Sequence, residues 1–104
     1  IIRPAVAAWA KCMSIELAKF GITVNNVLPG YTKTDRLTSL FKARSEKQGV
    51  TIDKIEQDVI AATPAGRFGE AHEIGSVIAF LCSPAAAYVN GINVPVDGGR
   101  LLTL

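Results

Sequence analysis

Between residues 4 and 20 the apolar side chains Val6, Trp9, Met13, Leu17 and Phe20 return at three- and four-residue steps. That repeat lines one face of an α-helix. Pro4 suits a first helical turn, and Gly21 suits the left-handed position just past the end. The pattern then changes. "ITVNNVLPG" brings the β-branched Ile22, Thr23, Val24 and Val27 together and predicts a short buried strand over about 22–27. Pro29-Gly30 ends it, because proline cannot donate to a ladder and glycine permits a sharp turn.

Two more polar helical stretches follow. One covers 35–48, with Thr34 as N-cap and Gly49 as the stop; the other covers about 52–62, capped by Thr51. "PAGRFG" breaks the pattern, and "EAHEIGSVIAFLCS" resumes helical spacing through Ile74, Val77, Ile78 and Leu81. Asn90-Gly91 marks a turn, "INVPV" predicts a last strand, and Asp97-Gly98-Gly99 closes it. No internal repeat or low-complexity run interrupts this order.

A strand, a crossover helix and a second strand form a parallel βαβ unit. Two parallel strands alone are not a stable sheet, because both faces and both edges need cover. These strands must therefore join others that the chain does not contain. The 104 residues read as one domain at most, and as the last part of a larger doubly wound α/β fold.

Composition narrows the function classes. With 49% apolar residues the chain is not a disordered segment, and its apolar runs are far too short to span a membrane. It opens without an initiator methionine or a basic segment leading into an apolar one, so no secretory signal is expected. A net charge of +2 does not argue for nucleic acid. Cys12 and Cys82 lack metal-ligand spacing and are expected to be reduced core thiols of a cytoplasmic protein. Around His72 the sequence offers no carboxylate or cysteine at metal-ligand spacing, and no metal site is expected. Six of the 11 basic residues, Lys33, Arg36, Lys42, Arg44, Lys47 and Lys54, crowd into 33–54 against Asp35, Glu46 and Asp53. Leu37, Leu40 and Phe41 are expected to pack that segment down.

"AVAAWAKCMSIELAKFGITVNNVLPGYTKT" and "PAGRFGEAHEIGSVIAFLCSPAAAYVNGINVPVDGG" carry several short motifs in order. They are Asn25-x-Val27-x-Pro29-Gly30-x-x-x-Thr34, Gly66-Arg67-x-Gly69, Phe80-Leu81, Tyr88-x-x-Gly91 and Val96-Asp97-Gly98-Gly99. The set resembles the C-terminal part of short-chain dehydrogenase/reductases, most of all the branch of 3-oxoacyl-acyl-carrier-protein reductases.

The resemblance implies a Rossmann-type, doubly wound parallel-sheet α/β domain. Residues 1–104 would be the C-terminal part of that single dinucleotide-binding domain, with a helical substrate-lid insert at about 35–63. It also implies NADP or NAD as cofactor. Pro29 and Gly30 would form a shelf beside the nicotinamide, with the Tyr31 and Thr32 backbone on the carboxamide. The Thr34 hydroxyl would reach the carboxamide or a phosphate. The ordinary alternative makes Thr34 a helix cap and Pro29-Gly30 a strand terminator, and a threonine can do both.

The family's catalytic serine and tyrosine would precede residue 1. Its catalytic lysine falls at Arg3, whose charge could bond the nicotinamide ribose or favour a phenolate. Arginine does not titrate near neutrality, so Arg3 departs from the usual proton relay. The implied activity is hydride transfer between the nicotinamide and a carbonyl or alcohol carbon, such as a 3-oxoacyl thioester. A divergent, non-catalytic dinucleotide-binding or scaffold relative is the alternative. Implied partners are the missing N-terminal part of the same fold, acyl carrier protein drawn by the basic insert, and further copies in a dimer or tetramer through the first helix. Neither nucleic acid nor a membrane is implied.

Overall fold

The computed structural model describes residues 2–102, with side chains from Pro4 onward. In order, the elements are α1 (Ile2–Leu17), β1 (Asn26–Pro29), α2 (Asp35–Gln48), α3 (Ile52–Ala61), α4 (Ala71–Leu81) and β2 (Asn93–Val96). Short 3-10 turns, Ala18–Phe20 and Pro84–Ala86, follow α1 and α4. β1 and β2 pair in parallel, with Asn26 N–H on Ile92 O and Gly30 N–H on Val96 O, both at 2.9 Å. The chain divides into two compact units. One runs to Leu28 and adds Gly75–Pro95; the other comprises Pro29–Ile74 and continues from Val96.

In the second unit, α2 begins where Thr34 leaves the extended region and its hydroxyl accepts the Leu37 N–H at 3.2 Å. It ends at Gly49, whose φ of 68° suits the left-handed position. α3 repeats the device, with the Thr51 hydroxyl accepting the Lys54 N–H at 3.2 Å. The two helices meet through Phe41 on α2 and through Ile55 and Val59, one turn apart, on α3. Tyr31, Leu37 and Phe68 complete this core. Phe41 is 1% exposed, and its burial contributes roughly 3 kcal/mol by area transfer. Thr51→Ala should lower stability by about 1 kcal/mol, by loss of one capped N–H, with no change in cofactor affinity; denaturant unfolding of the intact protein checks it.

In the first unit the described side chains that α1 buries are two small ones. Ala10 and Ser14 are covered, while Trp9 is 63% exposed and Val6 and Phe20 are more than half exposed. Of the apolar face foreseen from the periodicity, Val6, Trp9 and Phe20 are thus largely uncovered among the described residues, while Met13 and Leu17 are half-buried. Cys12 and Cys82 are likewise exposed, not core thiols: Cys12 lies across α1 from buried Ala10 and Ser14, and Cys82 follows α4, which buries no side chain.

The strand predicted over 22–27 is also corrected, because β1 starts only at Asn26. Ahead of it Val24 O accepts the Gly91 N–H at 3.0 Å, and the remaining cross-bonds run through side chains. Val24 N–H donates to Asn90 Oδ1 (2.9 Å), and Asn25 exchanges bonds with Val89 O and Ile92 N–H. Among the described residues β1 pairs with β2 alone. An open groove of about 760 Å³ lies against Thr23, Asn25 and Val27 and against Ile78, Leu81 and Cys82.

Candidate functional site

β1 delivers the chain into Gly30, where space is tight. A Cβ built on Gly30 would lie 2.6 Å from Asp97 Cβ and 2.7 Å from Asp97 Cα. Only glycine allows the two segments to approach this closely. Asp97 is held in turn by its own turn: Oδ1 accepts the Gly99 N–H at 3.0 Å and Oδ2 the Leu101 N–H at 2.9 Å. Gly98 and Gly99 follow with φ of 67° and 89°, conformations a side chain would strain.

Beyond Gly30, Thr32 makes an isolated parallel bridge to Gly69. Gly69 N–H donates to Tyr31 O and Lys33 N–H donates to Gly69 O, both at 2.9 Å. Successive residues of an extended chain present their backbone groups to opposite sides. With Tyr31 O and Lys33 N–H facing Gly69, the N–H and C=O of Thr32 face the other edge. The Thr32 hydroxyl turns back onto Gly30 O at 3.2 Å. Thr34, two residues on, is the N-cap of α2, and its hydroxyl still has its own hydrogen to donate.

Pro29, Gly30, Tyr31, Thr32 and Thr34 are thus positions of one continuous segment, running from the end of β1 to the start of α2. Arg3 belongs to the first turn of α1, and its side chain lies outside the described residues. No group of three or more metal-ligating side chains occurs among the described residues, and no helix there is long and apolar enough to cross a membrane.

A cavity of about 80 Å³ lies on the Gly69 side, bounded by Tyr31, Arg67, Glu73, Val96 and Asp97. There Arg67 grips Glu73 through two parallel bonds of 2.7 and 2.9 Å, and Glu73 Oε1 also accepts the Glu70 N–H at the start of α4. The Arg67 hydrogen bond, then the Glu70 N–H, hold the Glu73 carboxyl at about 2, below its ordinary 4.5. The same hydrogen bond raises Arg67. A depressed folded-state value favours folding above the unfolded value, so this contribution is complete above pH 4.5 and fades as the pH falls towards 2. Glu73→Gln should flatten the pH dependence of stability in that window while leaving neutral-pH activity in place. Acid titration of both proteins by circular dichroism checks it.

Sequence reasoning did not foresee the surroundings of the Tyr31 ring. Its centroid lies 5.9 Å from that of Phe41, which lies 5.8 Å from that of Phe68. Arg44 directs both terminal nitrogens at the Tyr31 hydroxyl, 3.4 Å each, and the Arg100 guanidinium lies 4.6 Å from the ring centroid. Arg44 had a signal, since it stands seven residues after Leu37 on the face of α2 that carries Phe41. Arg100 is 69 positions from Tyr31 and had none.

Comparison with known proteins places this geometry in a family. The family model described as enoyl-(acyl carrier protein) reductase matches residues 1–100. The chain is 39% identical over 100 residues to the 3-oxoacyl-[acyl-carrier-protein] reductase FabG of Vibrio cholerae, covering 96% of this chain and 36% of that protein. The solved structure of YwfH, described as an NADPH-dependent reductase involved in bacilysin biosynthesis, superposes with a TM-score of 0.89 at 33% identity over 97% of this chain and 38% of that one. A short-chain dehydrogenase family protein from Francisella tularensis gives 0.87 at 30% identity over 93% and 40%. The chain thus spans little more than a third of the length of these relatives. On the sequence match and the superposed α/β fold together, the chain belongs to the short-chain dehydrogenase/reductase family and corresponds to the C-terminal part of such a Rossmann-type domain.

Proposed function

We propose that this chain supplies the nicotinamide shelf of an NAD(P)-dependent oxidoreductase that reduces a carbonyl or oxidises the corresponding alcohol. The observation that carries the reading is the Thr32 edge. An N–H and a C=O stand side by side there, the complement of a primary carboxamide, at the carboxyl end of a parallel strand where such sheets take their ligands. When bound, the cofactor supplies or accepts the hydride. Pro29 and Gly30 shape the turn, the Tyr31 and Thr32 backbone orients the carboxamide, and Thr34 offers its hydroxyl hydrogen to the carboxamide or a phosphate. Gly30 lets the segment lie close against Asp97. Arg3, at the family's lysine position, contributes fixed positive charge and does not relay a proton. The proton donor belongs to a part of the protein outside these residues.

The likeness to FabG favours a 3-oxoacyl thioester as substrate and acyl carrier protein as its bearer, and the likeness to YwfH favours NADPH. The exposed apolar face of α1, with Val6 and Trp9, suits a homo-oligomer. The intact protein should oxidise NADPH in the presence of an acetoacetyl thioester. A folded protein that binds the dinucleotide yet turns over nothing in a broad carbonyl panel would instead be a non-catalytic relative.

A further inference from the structure

Tyr31 directly follows the Pro29-Gly30 turn of the proposed shelf, and two guanidinium groups converge on its side chain. Arg44, from α2, reaches the hydroxyl with both terminal nitrogens, its carbon 6.0 Å from the ring centroid. Arg100, from the segment after β2, sits over the ring at 4.6 Å. Neither takes part in a salt bridge among the described residues. The nearby carboxylates are otherwise engaged: Asp97 by two backbone N–H groups and Glu73 by Arg67.

Two like charges gathered on one ring repel each other, and among the described residues neither guanidinium has a carboxylate in ion-pair contact. A guanidinium whose carbon lies over an aromatic face keeps N–H groups able to meet a further acceptor. The bonds from Arg44 to the hydroxyl are long, so a stronger acceptor would displace them readily. Tyr31 is itself fixed against buried Phe41, so the platform that gathers the two arginines is preorganised.

We infer that Arg44 and Arg100 form an oxyanion subsite, and that the substrate bears a carboxylate or phosphate group which they grasp beside the Tyr31 ring. The inference rests on the oxidoreductase reading for the term substrate; the anion subsite itself does not need it. Tyr31 acts as the platform, its ring carrying Arg100 and its hydroxyl parking Arg44 until the anion arrives. The two arginines set specificity and take no part in hydride transfer.

The test has a binding arm and a turnover arm, both on the intact protein. In the first, inorganic phosphate and acetate are titrated by calorimetry at constant ionic strength. Saturable binding is expected, weakened about tenfold or more in Arg44→Gln and in Arg100→Gln. Tyr31→Phe, which keeps the stacking face, should weaken it less. In the second, 3-oxobutanoate is compared with its methyl ester, and dihydroxyacetone phosphate with dihydroxyacetone. The anionic member of at least one pair should be preferred through KM, and each arginine variant should abolish the preference while kcat on the neutral member is kept. Whichever pair responds distinguishes carboxylate from phosphate.

Absence of saturable anion binding, or binding indifferent to both variants, overturns the inference. Turnover of neutral carbonyls without any anion preference also overturns it and leaves the oxidoreductase reading standing. Anion binding that depends on both arginines, without turnover of any carbonyl, supports the subsite and removes the oxidoreductase reading.

Discussion

Gly30→Ala is expected to destabilise the intact protein by roughly 1–3 kcal/mol and to weaken dinucleotide binding at the same time. The new methyl would lie 2.6 Å from Asp97 Cβ and 2.7 Å from Asp97 Cα, so the contact cannot be relieved by swinging a flexible side-chain end aside. One of the two backbone segments must move. If β1 yields, the Gly30 N–H loses Val96 O and the Tyr31–Thr32 segment shifts with it. If Asp97 yields, its carboxylate loses the Gly99 and Leu101 N–H groups that define the following turn. Denaturant unfolding and a dinucleotide titration on the same variant read both consequences. Gly66→Ala is a useful contrast: no atom lies within 4 Å of its Cβ position, but its φ of 71° strains alanine, so stability should fall with little change in dinucleotide affinity.

Asn90→Ala should have an effect of similar size at the other end of the strands. Asn90 Nδ2 donates to Ser14 O at 2.8 Å, and Asn90 Oδ1 accepts the Val24 N–H at 2.9 Å. One amide thus joins α1 to the chain entering β1, and both of its bonds are partly buried. Truncation leaves a donor and an acceptor short of partners, and in this part-buried setting the two together cost about 1–3 kcal/mol. Asn90→Asp tests the assignment of the amide, because it keeps an acceptor for Val24 but sets a carboxylate against Ser14 O. Both variants should lose stability, the aspartate variant by repelling Ser14 O and the alanine variant by losing both bonds. Hydrogen exchange at the Val24 amide should accelerate far more in the alanine variant than in the aspartate one. Equal protection in wild type and alanine variant would remove Asn90 from this role.

Local chemistry made much of this fold legible in advance. Thr34, the helix after it and Gly49 are set by a capping hydroxyl and a left-handed glycine, and both signals act within a few residues. The same holds for Thr51 and α3. The start of β1 was misjudged because β-branched residues Ile22, Thr23 and Val24 signal an extended backbone, not what that backbone bonds to. Asn90 Oδ1 takes the Val24 N–H and the Gly91 N–H takes Val24 O, while the Asn25 side chain bonds Val89 O and Ile92 N–H, before Asn26 meets β2. Apolar periodicity identified the large face of α1 correctly, yet it could not say whether anything in this chain covers it. Cys12 and Cys82 were misplaced for the same reason.

The candidate site divides similarly. Pro29-Gly30 announced itself as a turn, but its role as a shelf came from family resemblance, since spacing alone does not distinguish a ligand turn from a strand terminator. The Thr32 edge depends on a bridge to Gly69, and the close approach at Gly30 on Asp97. Both are long-range contacts that leave no local pattern. Arg100 over Tyr31 belongs to the same class.

The most direct measurement is an amide NMR titration of the intact protein with NADP+ and, separately, NAD+. Saturation by one or both should move the Thr32 N–H resonance strongly downfield, shift Tyr31 and Thr34 with it, and slow hydrogen exchange at Thr32. Saturable binding that leaves the resonances from Gly30 to Thr34 unmoved would contradict the account.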